Sequence, residues 1–263
     1  LRLGVDFALK EQRTSHRKDF TRQARIRFSH VGDMAAHLNF TNRLANEIGK
    51  ISKKSVQCVI YTRHVNAERL SEAFVINFTI DNDKPFTLIA GLNVLETEET
   101  TEEVISECAS VCKELEIPYI FKASYDKANR SSVDSYRGPG IKKGMQILSD
   151  LKHKYDVPII SDVHNEEEVE VAKDVLDIIQ IPAFLCRQTD LVGSIARSGV
   201  PVNIKKAQFM SPTDIENVIN KFKSFGNNQL LLCERGTSFG YNNLVVDMIG
   251  LASLKAYNHP VIF

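Results

Sequence analysis

From residue 86 onward the chain alternates short, continuously apolar runs with helix-spaced segments. This alternation restricts the possible folds more than any other feature. The runs are FTLIAG (86–91), IPYIFKAS (117–124), VPIISDV (157–163), LDIIQIPA (176–183), VPVNIKK (200–206), QLLLCERG (229–236) and PVIF (260–263). A strand with one wet face alternates apolar with polar residues. These runs are apolar on successive residues, as in strands buried on both faces. The segments between them, such as TTEEVISECASVCKELE and SPTDIENVINKF, carry helical spacing, and Ser211-Pro212 supplies an N-cap followed by proline at the first helical position. Repeated β–α units predict a parallel sheet covered by helices, either doubly wound or closed as a (β/α)₈ barrel.

The polar residues separate these two folds. Asn93, Lys122, Ser124, Asp162, His164, Gln180, Lys205, Lys206, Glu234 and Arg235 sit at the carboxyl ends of nearly every run. A barrel builds its active site there from several strands at once. A doubly wound sheet concentrates ligand contacts at a switch point, usually with a glycine-rich first turn. The first turn here, AGLNVLE, has no such motif. The expected fold is therefore a TIM (β/α)₈-type barrel. Seven strands are visible in residues 86–263, fewer residues than the ~250 of a complete barrel, so the barrel is expected to be incomplete at its C-terminus and to lack the last β/α unit.

Hydrophobic residues make up 43% and charged residues 25% of 263, the balance of a globular chain. No apolar run approaches the ~20 residues that span a bilayer, so no membrane partner is expected. The start, LRLGVDFALKEQRTSHRK, has neither an initiator Met nor a long apolar stretch before a cleavage site, which reads as a fragment or processed form without a secretion signal. The zero net charge hides an asymmetry. Residues 1–80 hold 14 Lys/Arg against 7 Asp/Glu, while residues 81–263 hold 19 against 26 and contain all eight prolines. A boundary near residue 80 follows, with an unassigned basic segment before it that reads as strand, helix, strand. Its charge is read as solvated rather than as a nucleic-acid surface, because no aromatic interleaving or known motif accompanies it. The five cysteines, Cys58, Cys108, Cys112, Cys186 and Cys233, are odd in number and scattered, which argues against a disulfide framework and fits a reducing cytosol. Cys108 and Cys112 lack further Cys or His partners for a metal and are read as core or helix-face thiols.

The stretch KASYDKANRSSVDSYRGPG (122–140) concentrates the chemistry. Lys122, Ser124, Lys127, Asn129, Arg130, Ser131, Ser132 and Arg137 follow a buried strand. Cations, amides and hydroxyls packed at a strand's end suit a small molecule with two anionic groups, which they neutralise and fix by directed hydrogen bonds.

The runs AGLNVLE, FKASYDKANRSS, SYRGPG, SDVH, IQIPAFLCRQTDL, NIKKAQF, LCERGTSFGYNNLVVDM and PVIF, in this order, resemble 3-deoxy-D-manno-octulosonate 8-phosphate synthase (2-dehydro-3-deoxyphosphooctonate aldolase) from about residue 82 to 263. The resemblance implies a homotetrameric cytoplasmic barrel enzyme. Such enzymes condense phosphoenolpyruvate with D-arabinose 5-phosphate and release phosphate, making the precursor of a lipopolysaccharide sugar in bacteria and of a pectin sugar in plants. It further implies that Lys122, Ser124, Lys127, Gln180, Lys205 and Arg235, with the backbone at Ala183, hold phosphoenolpyruvate. Asn129, Arg130 and Ser131 would hold the aldose phosphate. Phe184 and Arg187 would lie on a loop that helps build a neighbouring subunit's site. Asn93, Lys127, Asp162 and His164 are the candidate catalytic residues, with Asp162 and His164 read either as proton handlers or as hydroxyl anchors. Some members carry Cys at the position of Asn93 as one ligand of a divalent metal. A neutral amide is a poor replacement for that thiolate, so the metal-independent type, with no cofactor, is expected.

The family pattern continues past PVIF into a loop with a functionally important His and an eighth β/α unit. Without them this chain by itself is expected to be weakly active or inactive. Two other readings compete: a 3-deoxy-D-arabino-heptulosonate 7-phosphate synthase using erythrose 4-phosphate, and a non-catalytic truncated or fusion product that retains only anion binding or association.

Overall fold

A computed structural model describes Ile80 and residues 87–263. The basic segment before residue 80, its expected strand–helix–strand order and Cys58 lie outside the described residues. Every apolar run contains one strand of a single parallel sheet: β1 (Leu88–Gly91), β2 (Tyr119–Lys122), β3 (Ile159–Asp162), β4 (Ile178–Ile181), β5 (Val202–Lys205), β6 (Leu230–Cys233) and β9 (Val261–Ile262). Their spatial order is β1-β2-β3-β4-β5-β6-β9, which is the order in the chain. A sheet that never reverses its strand order has no switch point. The doubly wound alternative is thereby excluded, and the fold is an incomplete TIM-type barrel.

Between the strands run α1 (Glu98–Glu114), α2 (Ile141–Tyr155), α3 (Glu166–Ala172), α4 (Thr189–Arg197), α5 (Ile215–Ser224) and α6 (Met248–Lys255). Their boundaries follow local chemistry. Thr97 and Asn165 cap α1 and α3 by accepting from the backbone N–H three residues on. Ser211 and Asp214 form a reciprocal capping box on a 3₁₀ turn, Pro212–Asp214, that feeds α5. A second 3₁₀ turn, Ala183–Leu185, follows β4. An antiparallel hairpin of β7 (Thr237–Ser238) and β8 (Leu244–Val245) interrupts the unit between β6 and α6.

Successive residues of a strand point to opposite faces, and burial divides along that parity. Leu88, Ala90, Tyr119, Phe121, Ile159, Ile179, Ile181, Val202, Ile204, Leu230 and Leu232 pack outward into the large core beneath the helices. Ile89, Ile120, Ile160, Ile178, Leu231, Cys233 and Ile262, with Ile80 against them, form a second cluster on the inner face. Burial of each Val, Leu, Ile or Phe side chain among them stabilises the fold by about 1.5–3 kcal/mol. Cys108 and Cys112 are buried on α1, and Cys186 and Cys233 are buried as well. Burial raises the Cys108 thiol to about 11 and that of Cys112 to about 12, so both are inert core residues. Among the described residues, no helix is long and apolar enough to cross a membrane.

Candidate active site

The inner-face parity that buries Ile120 and Ile160 carries on to the strand ends. Two residues after Ile120 comes Lys122, then Ser124. Two after Ile160 comes Asp162, then His164. Lys122 is opposite Ile160 in the parallel register, so Ser124 falls level with Asp162 on the same face. Their side chains meet: the Ser124 hydroxyl donates to Asp162 Oδ1. Lys122 Nζ donates to Ser124 Oγ at 3.0 Å and lies 3.4 Å from Asp162 Oδ1. Lys127 Nζ donates to the same hydroxyl at 2.8 Å. On the next strand Gln180 stands opposite Asp162, and Asn203 opposite Gln180. The Asn203 amide donates to Gln180 Oε1 at 3.2 Å. Lys205 and Arg235 continue the inner parity of β5 and β6 and are half-buried. An inward Lys, Ser, Asp, Gln and Asn would each be costly in an apolar interior unless hydrogen-bonded. Here they form two hydrogen-bonded groups, Lys122–Ser124–Asp162 and Gln180–Asn203, side by side in a polar floor at the sheet's carboxyl end.

Charge is concentrated in that floor. Burial opposes ionisation of Asp162, but Lys122, His164, Lys127 and Ser124 outweigh it and hold the carboxyl well below its usual range. Lys127 shows the reverse. Burial, with Lys122, Lys205 and Arg130 adding repulsion against the pull of Asp162, lowers it from 10.5 to about 7. Burial also opposes a charged His164. Hydrogen bonds and charge from Asp162 and Glu168 prevail, raising it from 6.5 to about 9.

Other residues expected from the sequence are positioned around this floor. Asn93 follows β1 and is half-buried. Asn129, Arg130 and Ser131 are exposed on the loop after β2, where Arg130 Nε donates to the Tyr136 carbonyl at 3.2 Å. Arg137 on the same loop pairs with Asp126. After β4, Ala183 is buried while Phe184 and Arg187 are exposed. Lys206 does not join the cations of the inner face. Its parity turns it outward, where its fully buried ammonium lies 3.5 Å from Glu234 Oε2 and reaches Met210 O and Thr237 Oγ1 at 3.3 Å each. Glu234 in turn accepts from the Gly236 N–H at 2.6 Å. Adjacent residues of an extended chain face opposite sides, so of Lys205 and Lys206, which both close the fifth run, only Lys205 shares the inner parity.

Two residues that the sequence reading passed over complete the cluster. Glu168, on the first turn of α3, accepts from Tyr125 Oη at 2.7 Å and from the His164 backbone N–H at 2.6 Å; its Oε2 also lies 3.1 Å from His164 Nδ1. The legible signal was Asn165-x-x-Glu168, the spacing of an N-cap and its returning glutamate.

The sequence model of the DAHP synthetase I family matches residues 57–263. A 2-dehydro-3-deoxyphosphooctonate aldolase of Marinobacter nauticus is 57% identical over 189 residues, covering 72% of this chain and 67% of the relative. The enzymes of that name from Pseudomonas fluorescens and Hahella chejuensis are 55% and 52% identical over 184 residues, each covering 70% of this chain and 66% of the relative. The chain thus spans about two thirds of the length of the curated relatives it matches. With its sequential parallel barrel and polar carboxyl-end floor, the chain belongs to the DAHP synthetase I family and, within it, groups with the 2-dehydro-3-deoxyphosphooctonate aldolases.

Proposed function

We propose that the protein condenses phosphoenolpyruvate with D-arabinose 5-phosphate to give 3-deoxy-D-manno-octulosonate 8-phosphate and inorganic phosphate. The observation that carries this reading is the inner-face cluster Lys122–Ser124–Lys127–Asp162–His164 in a chain 57% identical to an aldolase of that name. Phosphoenolpyruvate presents a carboxylate and a phosphate on one small carbon frame, and clustered cations fix both. In this reading Lys122, Ser124, Lys127, Gln180, Lys205 and Arg235, with the backbone at Ala183, bind phosphoenolpyruvate. Asn129, Arg130 and Ser131 bind the aldose phosphate on the exposed loop.

C3 of the enol forms a bond to the aldehyde carbon of the sugar, and the aldehyde oxygen takes a proton. Water adds at C2, and the C2–O bond to phosphate then breaks to leave the ketone. The cations stabilise charge that develops on the reacting oxygens and hold the two substrates for attack. Both ring nitrogens of His164 face carboxylates, so the ring carries its proton at neutral pH and serves as a donor or hydroxyl anchor rather than as a base. Asn93 offers an amide where a metal-dependent enzyme needs a thiolate, so a chelator is expected to leave the rate unchanged. The proposal extends to a cytoplasmic homotetramer, in which Phe184 and Arg187 reach toward a neighbouring subunit. The exposure of Phe184 on its loop supports a role in such a contact.

The test is phosphate release by the full-length protein with phosphoenolpyruvate and either arabinose 5-phosphate or erythrose 4-phosphate. Release that depends on the pentose phosphate is expected. Equal or faster turnover with the tetrose would favour the heptulosonate reading, and no turnover with either aldose would falsify both.

A further inference from the structure

We propose that Glu168 is a positioning residue: its carboxylate joins the His164 ring, the His164 backbone and the Tyr125 hydroxyl into one unit that fixes Asp162 and, through it, the Lys122–Ser124–Lys127 cradle. A single oxygen, Oε2, gathers the Tyr125 hydroxyl at 2.7 Å, the His164 N–H at 2.6 Å and His164 Nδ1 at 3.1 Å. The opposite ring nitrogen, Nε2, lies 3.4 Å from Asp162 Oδ2. An ionised carboxylate only accepts hydrogen bonds, so both ring nitrogens carry hydrogen and the imidazolium bridges the two acids. Asp162 thereby spends one oxygen on His164 and the other on Ser124 and Lys122, which fixes the cation geometry of the floor.

The unit is braced from outside the sheet. Glu168 is held at the start of α3 by the Asn165 cap. The Tyr125 ring contacts His164 edge-on at 5.8 Å. On its other side Tyr125 is pressed by α2 at Gly144, where an added Cβ would come within 2.3 Å of Tyr125 Cβ. The titratable groups facing His164 are therefore Asp162 from β3, Glu168 from α3 and Tyr125 from the loop after β2. Burial works against Glu168 ionisation, but hydrogen bonds from His164 and Tyr125 keep its carboxyl below the ordinary range.

The effects on phosphoenolpyruvate affinity and on turnover rest on the function proposed above, whereas the effect on ring titration does not. In the full-length protein, Glu168→Gln and Tyr125→Phe are compared with wild type by ¹⁵N NMR titration of the His164 ring and by calorimetric binding of phosphoenolpyruvate. Loss of one of two flanking carboxylates is expected to lower the ring titration by about one pH unit or more. In the same Glu168→Gln variant, phosphoenolpyruvate affinity is expected to fall about tenfold, the scale of a lost charge-assisted hydrogen bond. Tyr125→Phe leaves the carboxylate in place and should alter both readouts less. A ring that titrates as in wild type in Glu168→Gln overturns the proposal, as does a shifted ring with unchanged affinity. If both readouts respond as expected but the wild type releases no phosphate with either aldose, the catalytic reading fails while the positioning role of Glu168 stands.

Discussion

Lys127 shows how a site of like charges builds its own ligand dependence. Its amine is lowered to about 7 by burial and by Lys122, Lys205 and Arg130. An anion bound beside it supplies the missing counter-charge and raises that value again, so binding takes up a proton. The sign follows directly. Below about pH 7 the free amine is already charged and affinity is flat. Above it the free amine is neutral, and affinity for phosphoenolpyruvate should fall about tenfold per pH unit until the bound form also deprotonates. Calorimetry over this range is expected to show that slope in wild type and lose it in Lys127→Met. A Met variant with the wild-type slope would remove Lys127 as its source. Lys122, Ser124, Asp162 and His164 were legible in the sequence because they stand at strand ends, and Lys127 because it lies among the clustered cations and hydroxyls of the loop after β2. Lys205 and Lys206 are the same residue type side by side, and only the outward turn of Lys206 toward Glu234 separates them. Glu168 escaped because its partners, Tyr125 and His164, come from two different units brought together by the sheet.

At the level of elements, apolar runs located all seven strands, since a strand buried on both faces leaves an uninterrupted hydrophobic signature. The α5 start was legible for a different reason: Ser211, Pro212 and Asp214 act within one turn and need no tertiary partner. Ser211→Ala removes the hydroxyl that accepts from the Asp214 N–H and should cost about 1 kcal/mol. Denaturant unfolding should show a lower midpoint with an unchanged slope; an unchanged midpoint would mean that the 3₁₀ turn is held by packing alone. The β7–β8 hairpin was not legible. Two-residue strands with exposed or half-buried side chains carry no periodicity, and their pairing is decided by the chain returning across Gly236, Gly240 and Asn242 in positive-φ conformations.

At the scale of the molecule, large apolar side chains remain exposed on the carboxyl-end excursions: Phe209 at 63%, Phe239 at 74%, Tyr241 at 100% and Ile249 at 82%. Exposed apolar surface of this kind is what an assembly covers, in line with the proposed tetramer. Sedimentation velocity should report an assembly for wild type. A Tyr241→Glu/Ile249→Glu variant with unchanged circular dichroism should sediment as smaller species, and a monomeric wild type would refute self-association through this surface. By itself the sequence determined the seven strands of the parallel sheet, the α/β class and the gathering of cations, amides and hydroxyls in the loop after β2, because hydrophobic period, local caps and clustered charge are properties of neighbouring residues. Only the tertiary structure decided that the sheet runs in unbroken order, that Ser124 meets Asp162 and that His164 is held between two acids. Strand register brings Ser124 to Asp162, 38 positions on, and α3 packing from outside brings Glu168 to Tyr125, 43 positions back, so the acids around His164 are locked in place by partners that local sequence does not show.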